Sequence, residues 1–258
     1  MSTILFPAPI FGPVHSRRLG VSLGINLLPG DRKLCSFDCL YCECGFNLKQ
    51  NSKPTIPSRA EVRSALESKL QQMTAEGQLP DVITYAGNGE PTIHPEFAEI
   101  IGDTIELRNI YAPKAKVAVL TNSSRLGDSK VRNALKLVDD CIAKLDSGRV
   151  STIEKLDRPN YKYDIEKTIE QIASMGDNLA VQTMFVRWQE NGESIDNMGD
   201  ADVLPWLDAL RKIKPPRLMI YTIDRDTPLN TMTKATHQEL DALAARAREI
   251  VKNVSISY

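Results

Sequence analysis

The sequence predicts an α/β protein built on a parallel sheet. Short apolar stretches typical of strands alternate with stretches that show the apolar spacing of helices along nearly the whole chain. The strand-like stretches are continuously apolar, as expected for strands that are buried on both faces. Strand–helix alternation requires parallel neighbours joined by right-handed crossovers, so this pattern fits an open doubly wound sheet or an incomplete (β/α) barrel.

Six strand–helix units follow one another without a convincing linker. The first strand, 22–28, is followed by a long loop and by a helix at 58–77 with an N-cap serine and a closing glycine. The later units are predicted as strand 81–87 with helix 94–111, strand 116–124 with helix 129–138, strand 140–146 with helix 163–175, strand 179–186 with helix 201–213, and strand 217–223 with helix 236–251. Residues 254–258 suit one more short strand. We therefore expect one domain over 1–258, with a short N-terminal extension of about 20 residues.

Composition argues against two classes of partner. The 258 residues include 32 basic and 33 acidic side chains, which gives a net charge of -1 and not the basic excess expected of a broad nucleic-acid grip. No apolar run reaches the length of a membrane span, and the N-terminus does not have the pattern of a secretory signal. We expect a cytoplasmic, reducing location, where clustered cysteines bind metals or do chemistry more often than they form disulfides.

Four of the five cysteines lie in the stretch KLCSFDCLYCECG, residues 33–45. Cys35, Cys39 and Cys42 stand at i, i+4 and i+7, just after the first strand, where functional groups gather in parallel α/β folds. Thiolates suit zinc, copper or an iron–sulfur cluster. A closed zinc site usually needs paired Cys-x-x-Cys units. Three thiolates on one loop better suit a four-iron cluster whose fourth iron stays open to another ligand.

The two remaining cysteines have less defined roles. Cys44 lies two residues beyond the three-cysteine pattern, and it either sits near a cluster without binding it or serves as the fourth ligand of a zinc site. Cys141 begins an apolar strand and is expected to be a small core residue.

A glycine-rich turn follows the second predicted strand, in the stretch YAGNGEPTIHP. Gly87 and Gly89 allow a sharp turn and a close approach of the backbone to a ligand. Asn88 lies between them, and the Glu90 carboxylate with the nearby peptide groups could hold an ammonium group. The alternative is an ordinary strand–helix turn.

Polar residues also mark the ends of the later strands. Thr121 and Asn122 end the third strand and Asp146 ends the fourth; each either hydrogen-bonds a ligand or caps the helix that follows. On the fifth strand, Gln182 and Met184 either line a site or fill the interior of a barrel.

Arginines near the same strand ends could bind an anionic substrate. Arg187 and Arg225 follow the fifth and sixth strands, and Arg17 and Arg18 precede the first. The alternative is a solvated charge at the rim for Arg187 and Arg225, and surface pairing with acidic residues for Arg17 and Arg18.

The cysteine stretch resembles the signature of a known superfamily. CSFDCLYC is Cys-x3-Cys-x2-Cys with Tyr41 before the last cysteine, and it resembles the signature of the radical SAM superfamily. Residues 11–45, with GNGEPTIHP, KLDSG, QTMFV and YTIDR further on, resemble a branch of Fe–S oxidoreductases grouped with wyosine-type tRNA-modifying enzymes. This resemblance implies a partial (β/α)6 TIM-like barrel, open on one side where a larger substrate enters.

The resemblance also implies cofactors and their ligands. It implies a [4Fe-4S] cluster on Cys35, Cys39 and Cys42, whose open iron binds S-adenosyl-L-methionine for reductive cleavage to a 5′-deoxyadenosyl radical. In the superfamily a Gly-Gly-Glu segment equivalent to Gly87–Glu90 binds the amino group of that cofactor. The expected cofactor-binding residues are Tyr41, Gly87, Asn88, Gly89, Glu90, Thr121, Asn122, Asp146, Gln182 and Met184. A flavodoxin- or ferredoxin-like electron donor is also expected, because no flavin domain is visible in the sequence.

The substrate is not implied in the same way. Wyosine-type enzymes carry a second set of cysteines that this chain lacks, so the resemblance does not extend to their activity on tRNA. Two other functions fit the cysteines. A non-catalytic iron–sulfur carrier or sensor would have no use for Glu90 and its glycines, and a zinc-stabilised binding module would use Cys44 as a ligand.

Overall fold

The structure is a computed structural model that describes residues 4–16, 20–48, 54–190, 192–225 and 227–258. Its strands are β1 Ile10–Ser16, β2 Gly20–Ile25, β3 Val82–Tyr85, β4 Lys116–Thr121, β5 Asp140–Lys144, β6 Leu179–Met184, β7 Val186–Glu190, β8 Glu193–Asp196, β9 Arg217–Tyr221, β10 Met232–Lys234 and β11 Asn253–Ser257. Its helices are α1 Arg59–Ala75, α2 Phe97–Tyr111, α3 Ser129–Leu135, α4 Val150–Leu156, α5 Ile165–Ala173, α6 Asp200–Ile213 and α7 His237–Arg248, with a 3-10 turn at Pro91–Ile93. Arg17 and Arg18 lie outside the described residues. Within those ranges, no helix is both long and apolar enough to cross a membrane.

The large sheet has the strand order β1-β2-β3-β4-β5-β6-β9-β11. Neighbours from β2 to β11 are parallel, whereas β1 runs antiparallel to β2. Helices connect the parallel strands, as crossover connections require. The result is a partial barrel with β1 and β11 at its edges. The predicted partial (β/α)6 barrel is confirmed, and so is the last short strand.

Some elements differ from the sequence prediction. The predicted strand 179–186 is split: β6 ends at Met184, and Val186 starts β7, which pairs with β8 and β10 in a separate antiparallel sheet. β1 lies within the expected N-terminal extension and contains Pro13, which an edge strand tolerates because its outer side needs no hydrogen bonds. The sequence pattern did not predict α4, whose seven residues are too few for a clear helical period.

Alternate residues of the barrel strands face opposite sides, because side chains alternate along a strand. One set packs beneath the helices in the main apolar core: Leu23, Ile83, Val119, Cys141, Val181 and Ile220. The other set lines a cavity inside the barrel: Ser22, Thr84, Leu120, Ile142, Gln182 and Met219. Cys141 is fully buried, so its prediction as a core residue is confirmed. The interior of the barrel thus provides space for ligands.

Candidate functional site

The loop that carries the cysteines is held by its own polar contacts. The backbone N–H of Cys35 donates to Asn47 Oδ1 (2.9 Å), and the N–H of Asn47 donates to Asp38 Oδ1 (2.8 Å). The ammonium group of Lys33 donates to the carbonyl of Gly45 (3.0 Å). These bonds join both ends of the loop.

The same loop is joined to the glycine-rich turn. The N–H of Leu34 donates to the carbonyl of Asn88 (2.8 Å), and the N–H of Glu90 donates to the carbonyl of Leu34 (3.3 Å). A Cβ on Gly89 would lie 1.9 Å from the Leu34 carbonyl oxygen, and Gly89 has φ +140°. Any larger residue would push the two segments apart. The cysteine loop and the glycine-rich turn therefore form one unit.

Cys35, Cys39 and Cys42 line one cavity of about 170 Å³. It lies at the carboxyl ends of the barrel strands, and we call it the thiol cavity. Of the other predicted site residues, it is lined by Tyr41, Gly87, Gly89, Glu90, Thr121, Asn122 and Gln182. The structure therefore brings most of the predicted site residues to one place.

The walls of this cavity are supported by the three remaining predicted site residues, Asn88, Asp146 and Met184. Asn88 is fully buried, and its side-chain amide donates to the carbonyls of Phe6 (2.9 Å) and Pro29 (2.7 Å). Asp146 Oδ1 accepts a hydrogen bond from the N–H of Met184 (2.8 Å). The Met184 side chain packs in an apolar cluster that includes Cys39 and Tyr41.

Glu90 is buried and accepts several hydrogen bonds. Its Oε1 accepts from the backbone N–H and the hydroxyl of Thr92 (3.1 and 2.5 Å) and from the hydroxyl of Thr121 (2.8 Å), while Oε2 accepts from the N–H of Asn122 (2.6 Å). Burial raises the pKa of Glu90, and the bonds from Thr92, Asn122 and Thr121 oppose that rise. The carboxylate thus ties the ends of β3 and β4 together at the edge of the thiol cavity.

The thiols differ in their surroundings. Burial raises the pKa of Cys35 to about 12 and raises the pKa of Cys39 well above its usual range. A hydrogen bond with the Cys44 thiol lowers the pKa of Cys42 to about 6, and the same bond raises the pKa of Cys44. Because metal-bound cysteine is a thiolate, loading this site must release protons from Cys35 and Cys39.

Cys35 and Cys44 are each fixed by neighbouring groups. Cys35 Sγ accepts hydrogen bonds from the N–H of Phe37 (3.4 Å) and the side-chain amide of Asn122 (3.5 Å). Cys44 Sγ is 3.3 Å from the carbonyl oxygen of Gly87, so its single thiol proton is shared between this carbonyl and Cys42. Cys44 therefore lies beside the other thiols and contacts the glycine-rich turn.

The thiols surround a space and do not converge on one point. Among the residues that the structure describes, no three His, Cys, Asp or Glu side chains are grouped so as to hold one metal ion. A single zinc ion would need each thiolate about 2.3 Å away. A four-iron cluster binds each thiolate on a different iron. The donor set, three thiols around a shared cavity, fits the cluster better.

Two lysines of this site were missed in the sequence. The side chain of Lys33 is 1% exposed and lines the thiol cavity. Burial lowers the pKa of Lys33, but its attraction to the thiolate forms of the neighbouring cysteines, Cys42 foremost, outweighs that effect and raises the pKa. A lysine next to an arginine in DRKLC looks like a surface residue, so the sequence carried no signal for it.

Lys144 is the centre of a buried polar cluster. Its ammonium contacts the Tyr41 hydroxyl and Asp146, and it lies 2.8 Å from Asp157 Oδ1 in an ion pair without good hydrogen-bond geometry. Burial lowers the pKa of Lys144, but Asp146 and Asp157 outweigh that effect and raise it. Burial raises the pKa of Asp157 to about 7, although Lys144 opposes that shift. A lysine inside the apolar stretch DCIAKLD was the signal that could have identified this cluster.

Both described rim arginines have acidic partners. Arg187 pairs with Asp196 (2.9 Å) and with Glu239. Arg225 pairs with Glu43, which lies between Cys42 and Cys44 (2.8 Å). The Arg225 ion pair therefore connects the loop after β9 to the cysteine loop.

Cavity size alone does not identify the site. A cavity of about 690 Å³ lies at the amino ends of the strands, where it is lined by Lys114, Lys116 and Arg217 among others. It is at the opposite end of the barrel from the thiols. The side-chain chemistry points to the smaller thiol cavity.

The chain is similar to several curated proteins, although no protein-family model matches it. It is 34% identical over 224 residues to a UPF0026 protein of Helicobacter pylori, covering 85% of this chain and 67% of that protein. It is 30% identical over 231 residues to a UPF0026 protein of Synechocystis, covering 87% of this chain and 78% of that protein. A protein of Brachyspira hyodysenteriae named GTPase Obg is 29% identical over 235 residues, which cover 89% of this chain. The chain spans 32% of that protein's length.

Solved structures show the same fold at low sequence identity. A radical SAM methyltransferase from Sphaerobacter thermophilus superimposes with a TM-score of 0.65 at 13% identity, covering 92% of this chain and 66% of that one. SuiB of Streptococcus suis bound to S-adenosylmethionine gives a TM-score of 0.62 at 14% identity, covering 91% and 50%. Archaeal TYW1 gives a TM-score of 0.54 at 13% identity, covering 89% and 72%. The barrel is therefore of the radical SAM type.

Proposed function

The chain belongs to the UPF0026 family, and we propose that it is a radical SAM enzyme with a [4Fe-4S] cluster on Cys35, Cys39 and Cys42. One observation carries this proposal above the others: the three thiols surround a single cavity that also contains Glu90. A cluster carrier or a zinc module would need the thiols alone. The barrel fold and the three thiols around one cavity both support a radical SAM enzyme over a cluster carrier or a zinc module.

The cofactors supply the difficult chemistry, and the chain positions them. When bound, the cluster provides an electron and an open iron for reductive cleavage of S-adenosylmethionine to a 5′-deoxyadenosyl radical. Lys33 places a buried positive charge beside the three thiolates and so offsets their mutual repulsion. Tyr41 and Lys144 close the wall next to Cys39 and keep water from it.

Glu90 is proposed to accept a hydrogen bond from the ammonium group of S-adenosylmethionine. Its oxygens already accept from Thr92, Thr121 and Asn122, so the carboxylate is held in place before the cofactor arrives. A fixed, charged acceptor in a buried site gives a stronger bond than one that must first be ordered. The backbone of Gly87 and Gly89 completes this side of the cavity.

The wider role follows from these proposals. We propose a cytoplasmic protein that receives electrons from a flavodoxin- or ferredoxin-like donor, within the branch of Fe–S oxidoreductases grouped with wyosine-type enzymes. The nearly balanced charge supports a substrate other than tRNA, since broad tRNA binding requires a basic surface.

Turnover of the cofactor tests the proposal. Anaerobically reconstituted protein with dithionite should convert S-adenosylmethionine slowly to 5′-deoxyadenosine and methionine, measured by liquid chromatography. The rate is expected to be slow because the radical has no proper target until substrate closes the site. Cys39→Ala protein controls for free iron and should give none. Equal 5′-deoxyadenosine from the two proteins, in buffer and with small-molecule cell extract, would contradict the proposal.

Substitution of Glu90 separates cofactor binding from cluster binding. Glu90→Gln keeps the side-chain shape but removes the charge, and one charge-assisted hydrogen bond is worth roughly 1.5–3 kcal/mol. We expect calorimetry to show on the order of ten- to hundredfold weaker S-adenosylmethionine binding, with iron content unchanged. Glu106→Gln, at an exposed site on α2, is the matched control. Unchanged affinity in Glu90→Gln would show that Glu90 serves the fold alone.

A further inference from the structure

A second cavity of about 230 Å³ adjoins the thiol cavity inside the barrel. Leu120, Ile142 and Gln182 line both cavities and form the wall between them. We call the second space the inner cavity. A molecule bound there would lie next to whatever occupies the thiol cavity, without sharing its space.

Gln182 is an unusual part of this wall. It is 8% exposed and lines both cavities, and within the described ranges its side-chain amide has no hydrogen bond to another residue. The amide oxygen and nitrogen border open cavity space and are not sealed in the core, so a ligand group can reach them. Its carbonyl accepts and its NH₂ donates, so a ligand with a donor beside an acceptor would satisfy both. This residue therefore indicates a polar ligand group at the boundary of the two cavities.

The charge of the ligand follows from where the charged residues lie. Ser22 and Thr84 are buried and hydrogen-bond each other (2.8 Å), so the inner lining is polar but uncharged. The ionic residues of the lining, including Glu43 and Arg225, are at the more exposed mouth. An unpaired charge inside this cavity would be costly to bury. The part of the ligand that enters must be uncharged.

The inner surface is otherwise apolar. Phe6 and Phe11 contact each other with ring centroids 4.5 Å apart and both line the cavity. Leu120, Ile142 and Met219 add aliphatic surface. Such a surface favours an apolar or aromatic body next to the polar group.

We propose that the inner cavity binds the substrate, a small uncharged molecule with a carboxamide-like group on an apolar body, and that Gln182 selects it. This inference rests on the proposed function, because a substrate for radical chemistry must lie beside the bound cofactor. Gln182 then acts through its two hydrogen bonds to the substrate, while the rim pair of Glu43 and Arg225 borders the entrance.

Three probes of one shape and different charge test the selection. Benzamide, benzoate and benzamidine are titrated into cluster-loaded protein and followed by calorimetry and ligand-detected NMR. We expect benzamide to bind at least tenfold more tightly than either charged analogue. Benzoate or benzamidine binding as tightly as benzamide, or no binding by benzamide, would overturn the proposal.

Variants at Gln182 test the residue itself. Gln182→Leu should weaken benzamide binding about five- to tenfold. Gln182→Glu has the same shape and should shift the preference towards benzamidine. Gln189→Leu, at an exposed position on β7, is the matched control and should change nothing. Unchanged benzamide affinity in both Gln182 variants would contradict the assigned role.

The two proposals can fail separately. Benzamide binding should be unchanged by saturating S-adenosylmethionine, because the two cavities are distinct. Competition would assign Gln182 to the cofactor and overturn the substrate site, while cofactor cleavage would still support the proposed function. Selective benzamide binding without any cleavage would keep the ligand site and reject the radical chemistry.

Discussion

The two ends of the barrel carry their charges differently. At the carboxyl end, Lys33 and Glu90 are buried and Lys144 is mostly buried, with 16% of its side chain exposed, around the thiol cavity. At the amino end, Lys114 and Lys116 are exposed around a larger cavity. Buried charges cost desolvation and persist where partners hold them in one geometry. The comparison indicates that buried charge is concentrated where the thiols lie.

The amino end also contains an ion pair with a buried member. Asp140, at the start of β5, has a side chain 7% exposed, and it pairs with Arg217 at the amino end. Lys116 lies 3.5 Å from the same carboxylate. The amino end thus has a buried charge of its own. What distinguishes the carboxyl end is the combination of buried charges with three thiols around one space.

The largest expected effect is loss of the cluster. Cys39→Ala should reduce iron from about four per chain to near zero after anaerobic reconstitution, because three thiolates are needed to hold the cluster. Cys141→Ala, in the core below the helices, is the control and should keep its iron. Iron and sulfide analysis measures both. Full iron content in Cys39→Ala would refute the ligand assignment.

Substitution of Cys44 tests whether this thiol is one of the cluster ligands. Cys44 contacts the Gly87 carbonyl and is not part of the cavity lining, so Cys44→Ala should retain the cluster. The cause of any small change would be the lost hydrogen bond to Cys42. Loss of iron in Cys44→Ala would instead support a fourth cysteine ligand and contradict an open iron.

Removal of Lys144 should destabilise the protein strongly. Lys144→Met leaves Asp146 and Asp157 buried without their cation, which typically costs about 3–5 kcal/mol of unfolding free energy. Lys116→Met is the matched control at the amino end; its side chain is 61% exposed, so the expected cost is below about 1 kcal/mol. Urea unfolding of the two apo proteins measures the difference. Similar losses of unfolding free energy in the two variants would mean that charged side chains are no more deeply buried at the carboxyl end than at the amino end.

Gly89 tests the close contact between the loop and the turn. Gly89→Ala would place Cβ against the Leu34 carbonyl and should cost roughly 3 kcal/mol through strain and displacement. Gly77→Ala is the control, since Gly77 has φ +66° but no atom within 4 Å of an added Cβ. Its cost should be about 1 kcal/mol from the backbone alone. Equal losses of stability would exclude a special role for the Leu34 contact.

The smallest expected effect is at Arg225. Its side chain is 55% exposed, so the ion pair with Glu43 should contribute less than about 1 kcal/mol. Arg217→Gln at the amino end should cost more, roughly 1.5–3 kcal/mol, because Asp140 stays buried. Thermal unfolding compares the two variants. A larger loss in Arg225→Gln would show that the rim pair holds the cysteine loop in place.

The apolar strands and capped helices agree with one another and predicted a parallel α/β sheet, while the resemblance to the radical SAM superfamily favoured a partial barrel over an open sheet. The helix at 58–77 is an example: Ser58 and Glu61 form a capping box at the start of α1. The split at Phe185 could not be predicted, because the apolar run QTMFV continues through it. Pairing of β1 with β2 depends on tertiary contacts that local patterns do not encode.

The residues of the candidate site that belong to a recognisable sequence motif could be predicted. The cysteine spacing identified the three thiols, and the glycine-rich turn identified Gly89 and Glu90. Lys33 was not predictable, since burial of a lysine depends on how the loop folds back on Gly45. Asn88 was expected at the cofactor, but its amide bonds Phe6, a partner 82 residues away in the chain. Contacts between residues so far apart in the chain cannot be predicted from local sequence patterns.

Electron paramagnetic resonance of the reduced protein tests the proposed cluster and its open iron. We propose that the thiol cavity holds a four-iron cluster whose open iron accepts S-adenosylmethionine. Reduced, reconstituted protein should show the signal of one four-iron cluster, and the cofactor should change that signal because the open iron gains a ligand. The same change should be weaker in Glu90→Gln at equal cofactor concentration. A cluster signal that the cofactor leaves unaltered would contradict the account.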